Sequence, residues 1–162
     1  MALYSKAMSD RGDITPAECE ALGEALAAED SRLGIVAAYL HGSRARGEAL
    51  ADSDIDIAVF TDGSAARAGD TTRLELELCE RLERTSGLKR LDVRILDRAP
   101  LMARGKVLTE GRLLYSGDES ARVRLERDTR IRYLDYLPKM RWLNRALLAG
   151  MAEKGIGDGG SR

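Results

Sequence analysis

The sequence predicts an α/β fold of the α+β kind followed by a helical extension, on three observations. Short apolar runs bounded by glycine or aspartate recur at 35–40 (IVAAYL), 55–60 (IDIAVF) and 88–96, each too short for a helix and suited to a strand. Segments with helix caps and four-residue apolar spacing lie between them. From Asp118 onward the chain turns to almost unbroken helix formers. A length of 162 residues suits one compact unit, divided here into a core at 1–117, a helical arm at 118–149 and a disordered tail at 150–162.

Composition narrows the class. Hydrophobic residues make up 44% and charged residues 33%, a globular balance, while aromatics at 4% require an aliphatic core. No stretch approaches the roughly 20 apolar residues of a spanning helix, and the N-terminus lacks the apolar region of a signal peptide, so a cytoplasmic protein without membrane contact is expected. Two cysteines, Cys19 and Cys79, are too few for a disulfide framework and, with one histidine, for a Cys/His zinc site. Both are read as core thiols. The formal net charge of −1 creates no global field for nucleic acid, and no direct nucleic-acid binding is expected.

The elements follow in order. Thr15, Pro16 and Glu18 form a capping box with proline at the first helical position, starting a helix that runs to about Glu29. Strand 35–40 ends at His41-Gly42-Ser43, and 44–52 reads as one or two helical turns and a loop. In strand 55–60, Ile55, Ile57 and Val59 share one face, and Asp54, Asp56 and Ala58 the other. Leu74, Leu78 and Leu82, with Asp70 as cap and Gly87 as stop, make 71–86 a helix. In strand 88–96, Leu91, Val93 and Ile95 set Asp92 and Arg94 on the opposite face. Asp97 and Pro100 open a short helix closed by Gly111, and 112–115 forms a further strand.

The arm carries eight basic residues against five acidic ones and is expected to break or kink at Pro138. Val123, Leu125, Ile131, Leu134, Leu137, Met140, Leu143 and Leu147 give it one packed stripe. Pairs such as Glu126 with Arg130 and Asp128 with Arg132 fit a solvated helix. Its arginines together with Tyr133, Tyr136 and Trp142 also suit a partner surface.

The chemistry concentrates at Gly42-Ser43, ten residues, Asp54-Ile55-Asp56, and Asp92 on a later strand. Carboxylates at i and i+2 of a strand project to one face about 7 Å apart, close enough to repel unless a divalent metal neutralises them. Such oxygen donors favour Mg²⁺ or Mn²⁺, and Asp92 can add a third carboxylate if its strand is a neighbour. Gly42 and Ser43, at a strand end, offer N–H groups and a hydroxyl to phosphate oxygens. Arg44 and Arg46 are secondary candidates for holding a triphosphate. His41 reads as a packing or hydrogen-bonding neighbour, and Ser53 is assigned no chemistry.

The segment HGSRARGEALADSDIDIAVF resembles the signature of the DNA polymerase β-type nucleotidyltransferase superfamily: Gly-Ser, a spacer, Asp-x-Asp and a later Asp. The short length, ten-residue spacer and appended helix are similar to the minimal nucleotidyltransferase (MNT) antitoxins encoded beside HEPN-domain ribonuclease toxins. The resemblance covers 35–147, and His41 departs from the aromatic or apolar residue usual before Gly-Ser. It implies a polymerase β-like core with a small mixed sheet flanked by helices. It further implies that Gly42 and Ser43 bind nucleotide phosphates and that Asp54, Asp56 and Asp92 hold the metals. The implied reaction moves AMP from ATP to a tyrosine of a cognate HEPN toxin, neutralising it. Two alternatives stay open: a small-molecule nucleotidyltransferase of the aminoglycoside-modifying kind, and a non-catalytic antitoxin that acts by occlusion.

Overall fold

The computed structural model describes residues 13–67 and 69–154. Thr15 caps the first helix, α1 (Pro16–Leu33): its N–H donates to Glu18 Oε2 at 2.7 Å, and the Glu18 N–H returns to Thr15 Oγ1 at 3.2 Å. The helix runs one turn past Glu29, because the left-handed residue that can end it is Gly34 (φ +58°), whose N–H donates to Asp30 O. The extra turn buries Leu33.

Four strands follow: β1 (Ile35–His41), β2 (Ile55–Thr61), β3 (Leu91–Ile95) and β4 (Arg112–Ser116). They lie in the order β3-β2-β1-β4, with β1 antiparallel to β2 and β4, and β2 parallel to β3. Between them come α2 (Gly42–Arg46), α3 (Ser64–Arg67), α4 (Thr71–Ser86) and α5 (Leu101–Glu110). β3 is shorter than the sequence suggests, since Arg90 adopts φ +64° and cannot extend the strand backward. Asp97 does not open α5. It accepts from the Thr61 N–H at 2.7 Å and the Thr61 hydroxyl, tying the ends of β2 and β3 together.

Both faces of the sheet are covered. Ala38 and Leu40, Ile55, Ile57 and Val59, and Leu91, Val93 and Ile95 pack with Leu22 and Leu26 of α1 and Leu78 and Leu82 of α4. Tyr39, Ala58 and Phe60 pack on the other face with Val107 and Leu108 of α5. Asp54 and Asp56 therefore share the face of Ala58 and Phe60, the side that α5 covers, as the two-residue alternation predicts.

The last helix, α6 (Glu119–Lys154), is unbroken. Pro138 lies inside it, so the expected break is corrected: proline removes one backbone hydrogen bond, and the turns on either side continue the helix. Gly150 likewise continues the helix, which corrects the start of the tail, while 155–162 lie outside the described residues. The packed stripe also differs from the expected one. Ala121, Leu125, Thr129 and Tyr133, four residues apart, face the domain, whereas Val123, Ile131, Leu134, Leu143 and Leu147 are exposed. Tyr133 is thus a core residue rather than a surface anchor: its ring lies where Gly105 of α5 leaves space, and a Cβ at 105 would meet Tyr133 Cγ at 2.2 Å. Tyr136 and Trp142 are exposed. Glu126 pairs with Arg130 at 3.1 Å as expected, but Asp128 pairs with Arg127 rather than Arg132. Glu126 also accepts from the Tyr39 hydroxyl at 2.6 Å, joining α6 to the sheet.

Candidate active site

The site forms where β1 ends beside the first residues of β2 and β3. After His41 the chain must turn sharply, and Gly42 does so at φ +72°, opening α2. Only glycine fits here on two counts. The left-handed backbone disfavours any side chain, and a Cβ would stand 2.0 Å from Asp56 Oδ2. The Gly42 backbone and the Asp56 carboxylate are therefore pressed together, which puts the Gly42-Ser43 turn directly beside the acidic residues.

Register supplies the rest. Asp56 lies opposite His41 on β1 and opposite Asp92 on β3, and Asp54 precedes it by two residues. All three aspartates thus share one sheet face at one end. Burial raises the Asp56 carboxyl above the ordinary carboxylate value; His41 and Arg44 oppose this, and Asp92 and Asp54 add to it. Among the described residues, no three acidic, histidine or cysteine side chains are gathered into a ready metal-ligand set. Two of the three aspartates are engaged in ion pairs. Asp54 Oδ1 accepts from Arg90 Nε at 3.1 Å, and Asp92 Oδ1 lies 3.0 Å from Arg94 Nε. The donor set still suits a hard divalent cation: all oxygen, anionic, neighbouring in register, and mutually repelling at Asp56.

The predicted arginines divide. The Arg44 guanidinium donates to the carbonyls of Ser53 and Asp54, with Nε at 3.1 and 3.2 Å. It clamps the end of the spacer and so sets where Asp54 enters β2. Arg46 pairs with Glu48 at 2.7 Å and lines a cleft of about 240 Å³. Gly42, Arg94 and Lys106 share that cleft, with Glu110 as the acid at its wall. His41 also lines it, with Nε2 buried and, among the described residues, without a hydrogen-bond partner. Burial lowers the His41 imidazole below its ordinary value, against the pull of Asp56 and Asp92. That agrees with a packing neighbour rather than a charged group.

Three residues escaped the sequence reading. Arg94 was legible in position, since it alternates with Asp92, but not in role. Arg90 bridges Asp54 and Asp52 from a left-handed backbone that no local pattern announces. Lys106 reaches the cleft only because α5 crosses this face of the sheet.

A mixed sheet flanked by helices, with a Gly-Ser turn pressed against strand-borne carboxylates, is the arrangement of a nucleotidyltransferase. Residues 25–120 match the family model described as Polymerase beta, Nucleotidyltransferase, and the chain belongs to that family. Among solved structures, it is similar to a chain of a toxin–antitoxin with AMP-PNP, at 20% identity and TM-score 0.58, covering 78% of this chain and 98% of the other. A chain of the toxin–antitoxin MntA-HepT is similar at 18% identity and TM-score 0.55, covering 78% and 96%. A third likeness is to a chain of a structure described as tri-AMPylated Shewanella oneidensis HEPN toxin in complex with MNT antitoxin, at 20% identity and TM-score 0.50, covering 71% and 84%. At these identities the likeness establishes the fold. No curated protein sequence matches the chain.

Proposed function

We propose that the protein is an antitoxin of the minimal nucleotidyltransferase kind that transfers AMP from ATP to a tyrosine of a cognate HEPN-type ribonuclease. The observation that carries this reading is the placement of Asp54, Asp56 and Asp92 on one sheet face, against the Gly42-Ser43 turn and a cleft rich in cations. The solved neighbours add support, one described with AMP-PNP and another as a tri-AMPylated HEPN toxin with MNT antitoxin.

In this reading the three aspartates hold Mg²⁺ or Mn²⁺, which when bound neutralises triphosphate charge and polarises the α-phosphate. Gly42 and Ser43 hold phosphate oxygens through the Ser43 hydroxyl and the N–H groups of the turn. Arg46 and Lys106 supply positive charge along the cleft. Arg44 keeps Asp54 in place through the Ser53 and Asp54 carbonyls rather than touching nucleotide. The acceptor's phenolic oxygen forms a bond to the α-phosphorus as the bond to the β-phosphate oxygen breaks, pyrophosphate leaves, and Asp92 accepts the phenolic proton. Positioning and charge neutralisation carry most of the acceleration.

The test separates catalysis from occlusion. The protein is mixed at a small fraction of the concentration of its HEPN-type partner, with ATP and Mg²⁺, and the partner is weighed by mass spectrometry and assayed for ribonuclease activity. Added mass in units of AMP with loss of ribonuclease activity is expected. Inhibition that needs equimolar protein, ignores ATP and survives Asp54→Asn with Asp56→Asn would reject the enzymatic reading in favour of occlusion.

A further inference from the structure

Arg94 belongs to two environments at once. It follows Asp92 by two residues on β3, so both side chains leave the strand on one face, and its Nε stands 3.0 Å from Asp92 Oδ1. The same side chain lines the cleft with Gly42, Arg46 and Lys106. Its other acceptor, Glu75 on α4, lies 3.6 Å from Nη1 and is itself held in place by the Ile95 N–H at 2.8 Å. Arg90, the counter-ion of Asp54, differs in this respect: it bridges Asp54 and Asp52 and does not line the cleft.

We propose that Arg94 is a shared counter-ion, neutralising Asp92 until a divalent cation takes that carboxylate and then serving the phosphates of the nucleotide. The inference rests on assigning Asp54, Asp56 and Asp92 to a divalent cation and the cleft to a triphosphate. Cation and guanidinium compete for the Asp92 oxygen, and their like charges oppose joint occupancy. The guanidinium is more than half exposed, so its hold on Asp92 is weak and screened. Its stem is fixed on a strand, so side-chain torsions alone separate the two positions. On the cleft side it joins Lys106 and Arg46, the latter paired with Glu48, so a phosphate entering there would meet three cationic side chains. Cation and nucleotide then favour the same position of Arg94. Each tightens the other beyond their direct contact, because the coupling is reciprocal.

The full chain is titrated with Mn²⁺ alone and, at saturating Mn²⁺, with a non-hydrolysable ATP analogue, using the wild type, Arg94→Gln and Arg94→Lys. Arg94→Gln should bind Mn²⁺ roughly two- to fivefold tighter, the gain from removing a competing exposed ion pair. It should bind the analogue roughly tenfold weaker, the loss of a charge-assisted contact, with Arg94→Lys between the two. General damage to the fold weakens both ligands together, so the opposite signs are diagnostic. Unchanged or weaker Mn²⁺ binding by Arg94→Gln, or unchanged affinity for the analogue, would overturn the shared role while leaving the metal assignment standing. A wild-type protein that takes no Mn²⁺ would overturn the metal assignment and this inference with it.

Discussion

Replacing Gly42 with alanine tests how the site is built. Two separate penalties apply there. The residue stands at φ +72°, where a side chain costs about 1–2 kcal/mol. The new methyl would also lie 2.0 Å from Asp56 Oδ2 and 2.9 Å from Asp56 Cγ, so the carboxylate must leave its place, adding about 0.5–1.5 kcal/mol for a displaced rotamer. Gly87 is the internal control: it has nearly the same backbone angle, φ +73°, and a methyl there would meet nothing within 4 Å. Gly87→Ala should therefore lose only the conformational part, about 1–2 kcal/mol, and keep AMP transfer. Gly42→Ala should lose about 1.5–3.5 kcal/mol in total and transfer with it, because Asp56 has moved. Urea unfolding gives the stabilities, and labelled AMP incorporation gives the activity. Equal destabilisation by both variants, with transfer intact in Gly42→Ala, would show that the contact between the turn and Asp56 does not shape the site.

Three further outcomes are expected. Asp56→Asn should raise the melting temperature of the metal-free protein, because burial and the neighbouring Asp92 and Asp54 disfavour the charged form, and should abolish transfer; a retained transfer rate removes Asp56 from the reaction. Gly105→Ala drives a methyl into the Tyr133 ring and should cost about 1–3 kcal/mol in chemical denaturation, with Tyr133→Ala relieving most of that loss in a double-mutant cycle; simple additivity would refute the contact. Burial and the bond to Glu126 raise the Tyr39 phenol above its ordinary value. Its stabilising contribution is therefore complete below the unfolded value near pH 10 and is lost as pH rises through the folded value. Tyr39→Phe should lose about 1 kcal/mol at neutral pH and flatten the alkaline fall in stability, leaving the part due to Tyr115, raised by burial and by its bond to Asp30, and to the Cys19 and Cys79 thiols, also raised by burial; an unchanged slope would refute the assignment.

What the sequence made legible was whatever depends on neighbours along the chain. Two-residue alternation placed Asp54 and Asp56 on one face of their strand and Asp92 on the polar face of its own, and local caps marked α1 and α4 at Thr15, Asp70 and Gly87. The register that sets Asp56 beside Asp92 depends on a parallel crossover through α4, which alternation cannot supply. Arg44 looked like a phosphate ligand because arginines after Gly-Ser are cationic and close; its use as a clamp needs the returning carbonyls of Ser53 and Asp54, nine and ten residues on. Tyr133 resembled an interface residue in its own helix. Its burial depends on a distant glycine, Gly105, whose missing side chain carries no periodic signal.

The continuity of α6 past Tyr133 has a consequence for how its two parts melt. A short isolated helix is marginal in water because its first turn is hard to form. Here that step is already taken, since Ala121, Leu125, Thr129 and Tyr133 hold the first turns against the domain and the remainder only has to propagate. The helix therefore extends about 30 Å beyond Tyr133. Pro138 offers no N–H to the Leu134 carbonyl, so that turn is the weakest link in the propagation. Amide protons before it should exchange with the slow rhythm of the sheet and those after it with the faster rhythm of fraying, making Pro138 a joint between two clocks in one helix.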